Sequence, residues 1–467
     1  MADDVVADDV LLGADLGTSG LKLVALDLAG RVVAEAERGY PIDRPAPDLA
    51  ETDVRVWRHA LDEALSAVAP AVAGAEVLAL GLSGQMHGAV LVDAAGRALR
   101  PALLWADRRA GAELDLWRAL PEADRAALAN PLVPGMTGPL LAWLARHEPA
   151  TVARAAAVLL PKDALRATLL TGQTPAVTDR SDASATLLWD VTTDDWSAAA
   201  VAAAGVDPGL LPVVRPGTEI VGTAALPVGA VPVVTGGADT PLALLAAGTP
   251  VAQVNLGTGA QLLRPGWVPR PATDPVVHGY ADVSGGWYAM AALQNGGLAW
   301  AWVCEVLGMS WTDLFDAAAA TPAGAGGVAF RPFLTGERGG VARPSDRGGW
   351  SGLQPGTTRA DLARAAVEGV AFAIAAAFEL LDVPGDDDPV VLTGGGARSA
   401  VVQRLLADVL HRPVRHLPLR SASAIGAAVL AGRGVGLDVV PEAAAGAVVE
   451  PHTDVDLRAA AARWARA

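Results

Sequence analysis

Residues 13–20 read GADLGTSG, and residues 253–260 read QVNLGTGA. In each stretch an apolar run closes on a polar residue, Asp15 or Asn255, and Leu-Gly-Thr follows. The apolar run has the character of a strand, and the glycine-rich segment that of the turn after it. Glycine tolerates dihedrals that other residues avoid and takes its side chain out of the way. Such a hairpin therefore aims several backbone N–H groups at one point, and threonine adds a hydroxyl. Either turn alone reads equally well as an ordinary tight β-turn. Two of them, in the same setting and about half the chain apart, point to a pair of facing turns that hold a polyphosphate between two related domains.

The flanking sequence supports a duplication. Val10–Asp15, Leu21–Leu28 and Arg31–Glu37 alternate as a three-strand meander, followed by a helical pattern over 54–68 and a strand over 77–82. In the second half a strand over 251–256, a turn over 257–260 and a return strand from 261 repeat the opening. VPVVTGGADTPLALLAAG (231–248) and VVLTGGGARSAVVQRLLADVL (390–410) are both strand, glycine turn, helix. This order predicts an α/β fold built from two related domains, 1–248 and 249–467, divided near Gly248-Thr249-Pro250. The proline-punctuated stretch from about 100 to 230 reads as an elaboration of the first domain. Residues 441–467 are expected to finish as a surface helix.

Composition excludes several functions. The 467-residue chain has a net charge of −16, which argues against a nucleic-acid partner while leaving local phosphate binding by backbone groups open. No run of about 18 apolar residues escapes charge or proline, so no membrane span is expected. The start, MADDVVADDV, lacks the basic segment of a secretory signal, and a cytoplasmic location follows as the expectation. The single cysteine, Cys304, allows neither an intrachain disulfide nor a cysteine zinc cluster and reads as a core thiol.

The remaining motifs carry candidate chemistry. In TGGADT, Asp239 stands at a strand-to-helix turn, where a carboxylate serves either as a proton acceptor facing a cleft or as a helix cap. SGQMHG places Gln85, Met86 and His87 after another strand, and LLWADRR offers Trp105, Asp107 and Arg109. Trp105 could form an apolar wall for a sugar face and the two charged residues could bond hydroxyls; the alternative is a half-buried tryptophan beside a solvated charge cluster. GGGARS brings Gly395 and Gly396 to a helix start, where a nucleotide approaches backbone closely. It is not a Rossmann fingerprint, because Ser399 stands where the third glycine belongs. The chain has no Gly-Lys dipeptide and hence no P-loop.

Taken together, DLGTSG, SGQMHG, LPKDALR, GGADT, NLGTG, TGERGG and LTGGGARS resemble, in order and spacing from about Leu11 to Leu430, the FGGY carbohydrate kinases, and most of all their xylulokinase group. The resemblance implies two ribonuclease-H-like domains of the actin/Hsp70/hexokinase kind with a cleft between them. It implies transfer of the γ-phosphate of ATP, with Mg²⁺, to a sugar hydroxyl, in the first instance on D-xylulose. Asp239 matches the family's proton acceptor and Asp15 its aspartate near Mg²⁺ and the phosphates. Gln85, Met86, His87, Trp105 and Asp107 fall in the sugar-binding stretches, Gly17-Thr18 and Gly257-Thr258 match the phosphate turns, and Gly395-Gly396 the adenosine loop. A homodimer is compatible with the family. The chain departs from the xylulokinase pattern at Thr240, Ala106 and Gly339-Gly340. These departures leave another pentulose or a polyol open as substrate, and a sugar- or ATP-sensing protein without turnover is a more distant alternative.

Overall fold

The computed structural model describes residues 9–171, 176–248, 251–337, 340–385, 388–442 and 446–466. Among them two seven-stranded mixed sheets dominate. The first is formed by β1 (Val10–Leu16), β2 (Gly20–Asp27), β3 (Val32–Gly39), β4 (Val77–Gly84), β5 (Ile220–Leu226), β6 (Gly229–Val234) and β7 (Gly237–Ala238). Its order is β5-β6-β4-β1-β2-β3, with β7 also pairing to β4. The second contains β8 (Gln253–Leu256), β9 (Ala260–Pro265), β10 (His278–Ala281), β11 (Trp287–Leu293), β12 (Val390–Thr393), β13 (Val414–His416) and β14 (Val448–Val449), in the order β10-β11-β9-β8-β12-β13-β14. The α/β expectation is met, as are the meander over 10–39 and the helix Val54–Val68.

The duplication is visible in the pairing. β1 runs antiparallel to β2 and parallel to β4, and β8 runs antiparallel to β9 and parallel to β12. Asp15 therefore lies between Lys22 and Ser83, and Asn255 between Gln261 and Thr393. The two polar residues hold equivalent places at the ends of equivalent strands.

Sequence patterns account for the helices that cover the sheets. In Val54–Val68 the buried residues Val54, Trp57, Leu61, Ala64, Leu65 and Val68 recur at helical spacing, and Asp53 caps the start by accepting from Arg55 N–H. The long helix Arg359–Leu380 opens with a reciprocal Thr358–Asp361 capping box and is buried along most of its length in the second core. Cys304 sits in the helix Gly297–Leu307 and is buried. The C-terminal helix spans Val455–Arg466 and inserts Trp464 into the second core. No described helix is long and apolar enough to cross a membrane.

One helix crosses the apparent division of the chain. Ala422–Gly434, from the C-terminal half, packs on the first sheet, where Ala424, Ile425, Ala428 and Val429 meet Leu11, Val24, Leu26 and Ala79. Contact is backbone to backbone. A Cβ on Gly13 would lie 1.9 Å from Ala424 O, and one on Gly81 would lie 2.0 Å from Ala427 O. A cut at 248/249 leaves this helix in one half of the sequence while its side chains fill the core of the other. Of the boundary tripeptide only Gly248 is described, closing the helix Asp239–Ala247 in a left-handed conformation; Thr249 and Pro250 lie outside the described residues.

The two lobes also meet through side chains and backbone. Asn130 exchanges two hydrogen bonds with the backbone of Gly279, at 3.0 and 3.1 Å. Ala281 N–H donates to Ser184 Oγ at 2.9 Å. Tyr280 and Tyr288, from the second sheet, pack in one cluster with Ala238 of the first sheet and with Met86, which follows β4.

Candidate active site

Strand register brings the two candidate aspartates together. β7 pairs in parallel with the end of β4, Gly237 with Ser83 and Ala238 with Gly84, so that Asp239 follows directly beside Gln85. Ser83 in turn pairs with Asp15 and donates its hydroxyl to Asp15 Oδ1 at 2.8 Å. Burial pushes the Asp15 carboxyl up, while the Ser83 hydroxyl and the Lys22 ammonium draw it back. Asp239 is pushed up to about 7, first by burial and then by the negative charge of Asp15. Thr240 counters this, donating its N–H at 2.7 Å and its hydroxyl at 3.2 Å to Asp239 Oδ1. A carboxylate that gains its proton near neutral pH is suited to accept one from an alcohol.

Gln85, Met86 and His87 line the same place. Gln85 N–H donates to Leu16 O at 2.8 Å and its side-chain amide to Gly17 O at 3.3 Å, which leaves Oε1 buried without a hydrogen-bond partner. Met86 Sδ receives the Tyr288 hydroxyl at 3.7 Å. His87 adopts φ of +66°, a costly conformation for a residue with a side chain, and Gly88 follows at +77°. Its Nδ1 lies 2.5 Å from Ala185 O, a carbonyl that can only accept, so Nδ1 carries a proton.

Trp105 and Asp107 part company. Trp105 is 38% exposed, and its indole N–H donates to Thr18 Oγ1 at 2.8 Å. The exposed indole is thus tied to the first glycine turn. Asp107 is fully buried: Oδ2 accepts from Ala50 N–H at 2.8 Å, and both oxygens take the Arg109 guanidinium, at 2.8 and 2.9 Å. Arg109 also reaches Glu51 at 2.6 Å and lies over the Trp143 ring at 4.8 Å. Asp107 and Arg109 are thus bonded to each other, to Glu51 and to the Ala50 backbone, and this network braces the loop that carries Trp105.

The two turns are similar but not identical. Gly17 N–H closes on Gly20 O at 3.0 Å, whereas Gly257 N–H closes one residue tighter, on Gly259 O at 2.9 Å. Gly257 and Thr258 stack against the start of the helix Gly297–Leu307, where Gly297 N–H donates to Gly257 O at 2.9 Å and Leu298 N–H to Thr258 O at 2.9 Å. Glu337, from the TGERGG motif, is fully buried and accepts from Gln294 N–H at 2.7 Å and from the Asn295 amide at 3.0 Å, which fixes that helix start. Arg338 and Gly339 lie outside the described residues.

Gly394, at φ +88°, passes so close to the second turn that a Cβ there would stand 2.7 Å from Asn255 Oδ1. Gly395 and Gly396 open the short turn Gly395–Arg398 that follows β12. Gly394, Gly395, Arg398, His416 and Lys22 line a cavity of about 420 Å³ that is shared by both lobes. Asn255 donates its amide to Gln261 Oε1 at 3.3 Å, a neutral pair in the place of Asp15 and Lys22. Sequence reasoning did not single out Lys22, Ser83 or Tyr288. The Lys22 signal was available, since register places residue 22 opposite residue 15 across the turn.

These features define a two-lobed kinase of small alcohols, and the comparisons with known proteins specify the family. The model of the FGGY family of carbohydrate kinases matches with its N-terminal domain over residues 10–246 and with its C-terminal domain over 252–435. The chain belongs to the FGGY family of carbohydrate kinases. It is 34% identical to the xylulose kinase of Escherichia coli (strain K12) over 446 residues, covering 92% of this chain and 90% of the relative. Among solved structures, a xyloylose kinase from Brucella ovis superposes with a TM-score of 0.87 at 32% identity, covering 98% of this chain and 97% of that one. The xylulose kinase from Rhodospirillum rubrum gives a TM-score of 0.88 at 28% identity with the same coverage.

Proposed function

We propose that the chain transfers the γ-phosphate of ATP to a ketopentose hydroxyl, with D-xylulose as the substrate and D-xylulose 5-phosphate as the product. The observation that carries this reading is the meeting of Asp239 and Asp15 beside Gln85-Met86-His87, with Trp105 bonded to the first phosphate turn. The similar xylulose kinases named above support the choice of sugar.

In this reading the sugar lies against Met86, His87 and the Trp105 indole, and Gln85 Oε1 accepts one of its hydroxyls. Asp239 takes the proton of the C5 hydroxyl. The freed oxygen bonds to the γ-phosphorus while the bond to the β–γ bridging oxygen breaks and ADP leaves. Phosphoryl transfer of this kind depends chiefly on positioning and charge neutralisation. Gly17-Thr18 and Gly257-Thr258 supply donors to the phosphates from the two lobes, Lys22 supplies positive charge, and Gly395-Gly396 lets the nucleoside approach the backbone. Among the described residues no three His, Cys, Asp or Glu side chains form a metal cage. Mg²⁺ in such sites relies on one or two carboxylates with water and phosphate oxygens, and Asp15, next to Asp239 and raised by burial, fits that demand. Bound there, Mg²⁺ would neutralise charge on the transferring phosphate. Closure of the lobes would exclude water from the transfer.

A second reading, a different pentulose or a polyol, rests on Thr240, which bonds the base and alters the wall beside it. Phosphorylation of a panel of ketopentoses, polyols and glycerol with ATP separates the two: D-xylulose is expected to have the highest kcat/KM, and a higher value for another member overturns the choice of sugar. A protein that only senses sugar would have no use for the paired carboxylates. We further infer that the division near 248/249 separates the two lobes in sequence, with the helix Ala422–Gly434 moving with the first sheet on which it packs, that the enzyme works in the cytoplasm, and that it forms a homodimer, which light scattering would test directly.

A further inference from the structure

The LPKDALR motif is left without a task by the mechanism above, yet it supplies the most deeply buried charge cluster described. Lys162 is fully buried, and its ammonium lies 2.7 Å from Asp163 Oδ1, 2.9 Å from Asp179 Oδ1 and 2.9 Å from Asp182 Oδ2. Arg166, also buried, pairs with Asp163 at 2.7 Å. Burial works against the Lys162 charge, but the three carboxylates hold the ammonium well above its ordinary range. The cluster sits directly behind β4, because a Cβ on Gly84 would lie 2.7 Å from Lys162 Cβ.

From this hub a path of an ion pair and hydrogen bonds leads to the residue before the base. Asp179 Oδ2 accepts from Ser181 N–H at 2.7 Å and also from the Ser181 hydroxyl. Ser181 Oγ in turn accepts the Ala238 N–H at 2.9 Å. Ser181 is fully buried, and Ala238 is the residue whose extended backbone opens the helix beginning at Asp239. A serine hydroxyl has one proton and two lone pairs. With the proton directed to the Asp179 carboxylate, which Lys162 anchors, a lone pair must face Ala238 N–H. The polarity of the path is therefore fixed from the lysine outward.

We propose that Ser181, oriented by Asp179 and Lys162, is a positioning residue that fixes the peptide from which Asp239 projects and so sets the aim of the base. The proposal rests on Asp239 being the base, and the experiment separates the two claims. Lys162→Met leaves three buried carboxylates without their ammonium and is expected to unfold the first lobe, since breaking a buried pair is strongly destabilising. Ser181→Ala removes one hydroxyl and is the decisive variant. Loss of one aligned hydrogen bond corresponds to about a tenfold change. Ser181→Ala is therefore expected to lower kcat for sugar phosphorylation about tenfold or more, with KM for ATP and for sugar each within about threefold of wild type. In an Asp239→Asn background the same change is expected to leave the residual turnover where it was, because the group being aimed is gone. A wild-type kcat in Ser181→Ala overturns the positioning role. So does a rise in both KM values together with the fall in kcat, or a further loss in the Asp239→Asn background, since either marks general loosening of the lobe. Full turnover in Asp239→Asn alone overturns the base assignment instead.

Discussion

Replacing Asp239 by asparagine should stabilise the protein while disabling it, and the gain should depend on pH. Asp239 is pushed up to about 7 by burial and by Asp15, against an ordinary aspartate value of about 3.9. The folded state thus binds a proton more tightly than the unfolded chain. Below the unfolded value both states are protonated, and the carboxyl imposes no penalty. As pH rises from about 4 to about 7, the unfolded chain ionises first and folding stability falls; above about 7 the penalty is complete. Three units at about 1.4 kcal/mol each set a ceiling near 4 kcal/mol, and access of cleft water to the carboxylate reduces the expected figure to about 2 kcal/mol. Asparagine is nearly isosteric, and its Oδ1 still accepts the Thr240 N–H. Urea denaturation at a series of pH values should show Asp239→Asn about 2 kcal/mol more stable than wild type at pH 8, with the difference vanishing near pH 4. A variant no more stable at pH 8, or one with the same advantage at both pH values, would refute the account of the carboxylate pair.

Other perturbations give separable outcomes. Trp105→Phe keeps an apolar wall but loses the indole donor to Thr18; kcat should fall by about tenfold or less, the worth of one hydrogen bond, and Trp105→Ala should in addition raise the sugar KM. Asn255→Asp places a second carboxylate against the polyphosphate and should weaken ATP binding by about tenfold in calorimetry, whereas Asp15→Asn should mainly slow transfer; equal effects on both steps would remove the asymmetry between the turns. The kcat/KM for sugar should show an acid limb near pH 7, because the Asp239 base must lose its proton. Gly13→Ala would drive a methyl to 1.9 Å from Ala424 O. It should therefore destabilise by about 3 kcal/mol or more, read as a shifted urea midpoint; an unchanged midpoint would contradict the packing of the helix Ala422–Gly434 on the first sheet.

The readable parts of this protein are those whose signal is local. Glycine turns, an alternating meander and a capped amphipathic helix leave their marks within a few residues, so the opening strands and turns of the two sheets could be anticipated. The placement of Ala422–Gly434 could not, because the contact joins residues some four hundred positions apart in the chain. Its trace is Gly13 and Gly81, mid-strand glycines that a sheet would ordinarily disfavour and that a crossing backbone demands. Asp107 is open to two readings for a related reason: a charged residue beside a tryptophan looks the same in sequence whether it faces a cleft or a buried arginine. Ser83 and Ser181 carry no signal of their own, since a serine becomes informative only when its partner across the fold is known. Lys162 and Asp163 stood out only as part of a motif, and three dimensions were needed to show three carboxylates around one ammonium.

The central claim is that Asp239 deprotonates a sugar hydroxyl in a cleft where ATP is held by both lobes. Its most direct test is sugar-dependent ATP turnover of Asp239→Asn measured beside nucleotide binding. The expected result is a loss of at least about 10² in turnover with the ATP dissociation constant unchanged; turnover near the wild-type rate would contradict it.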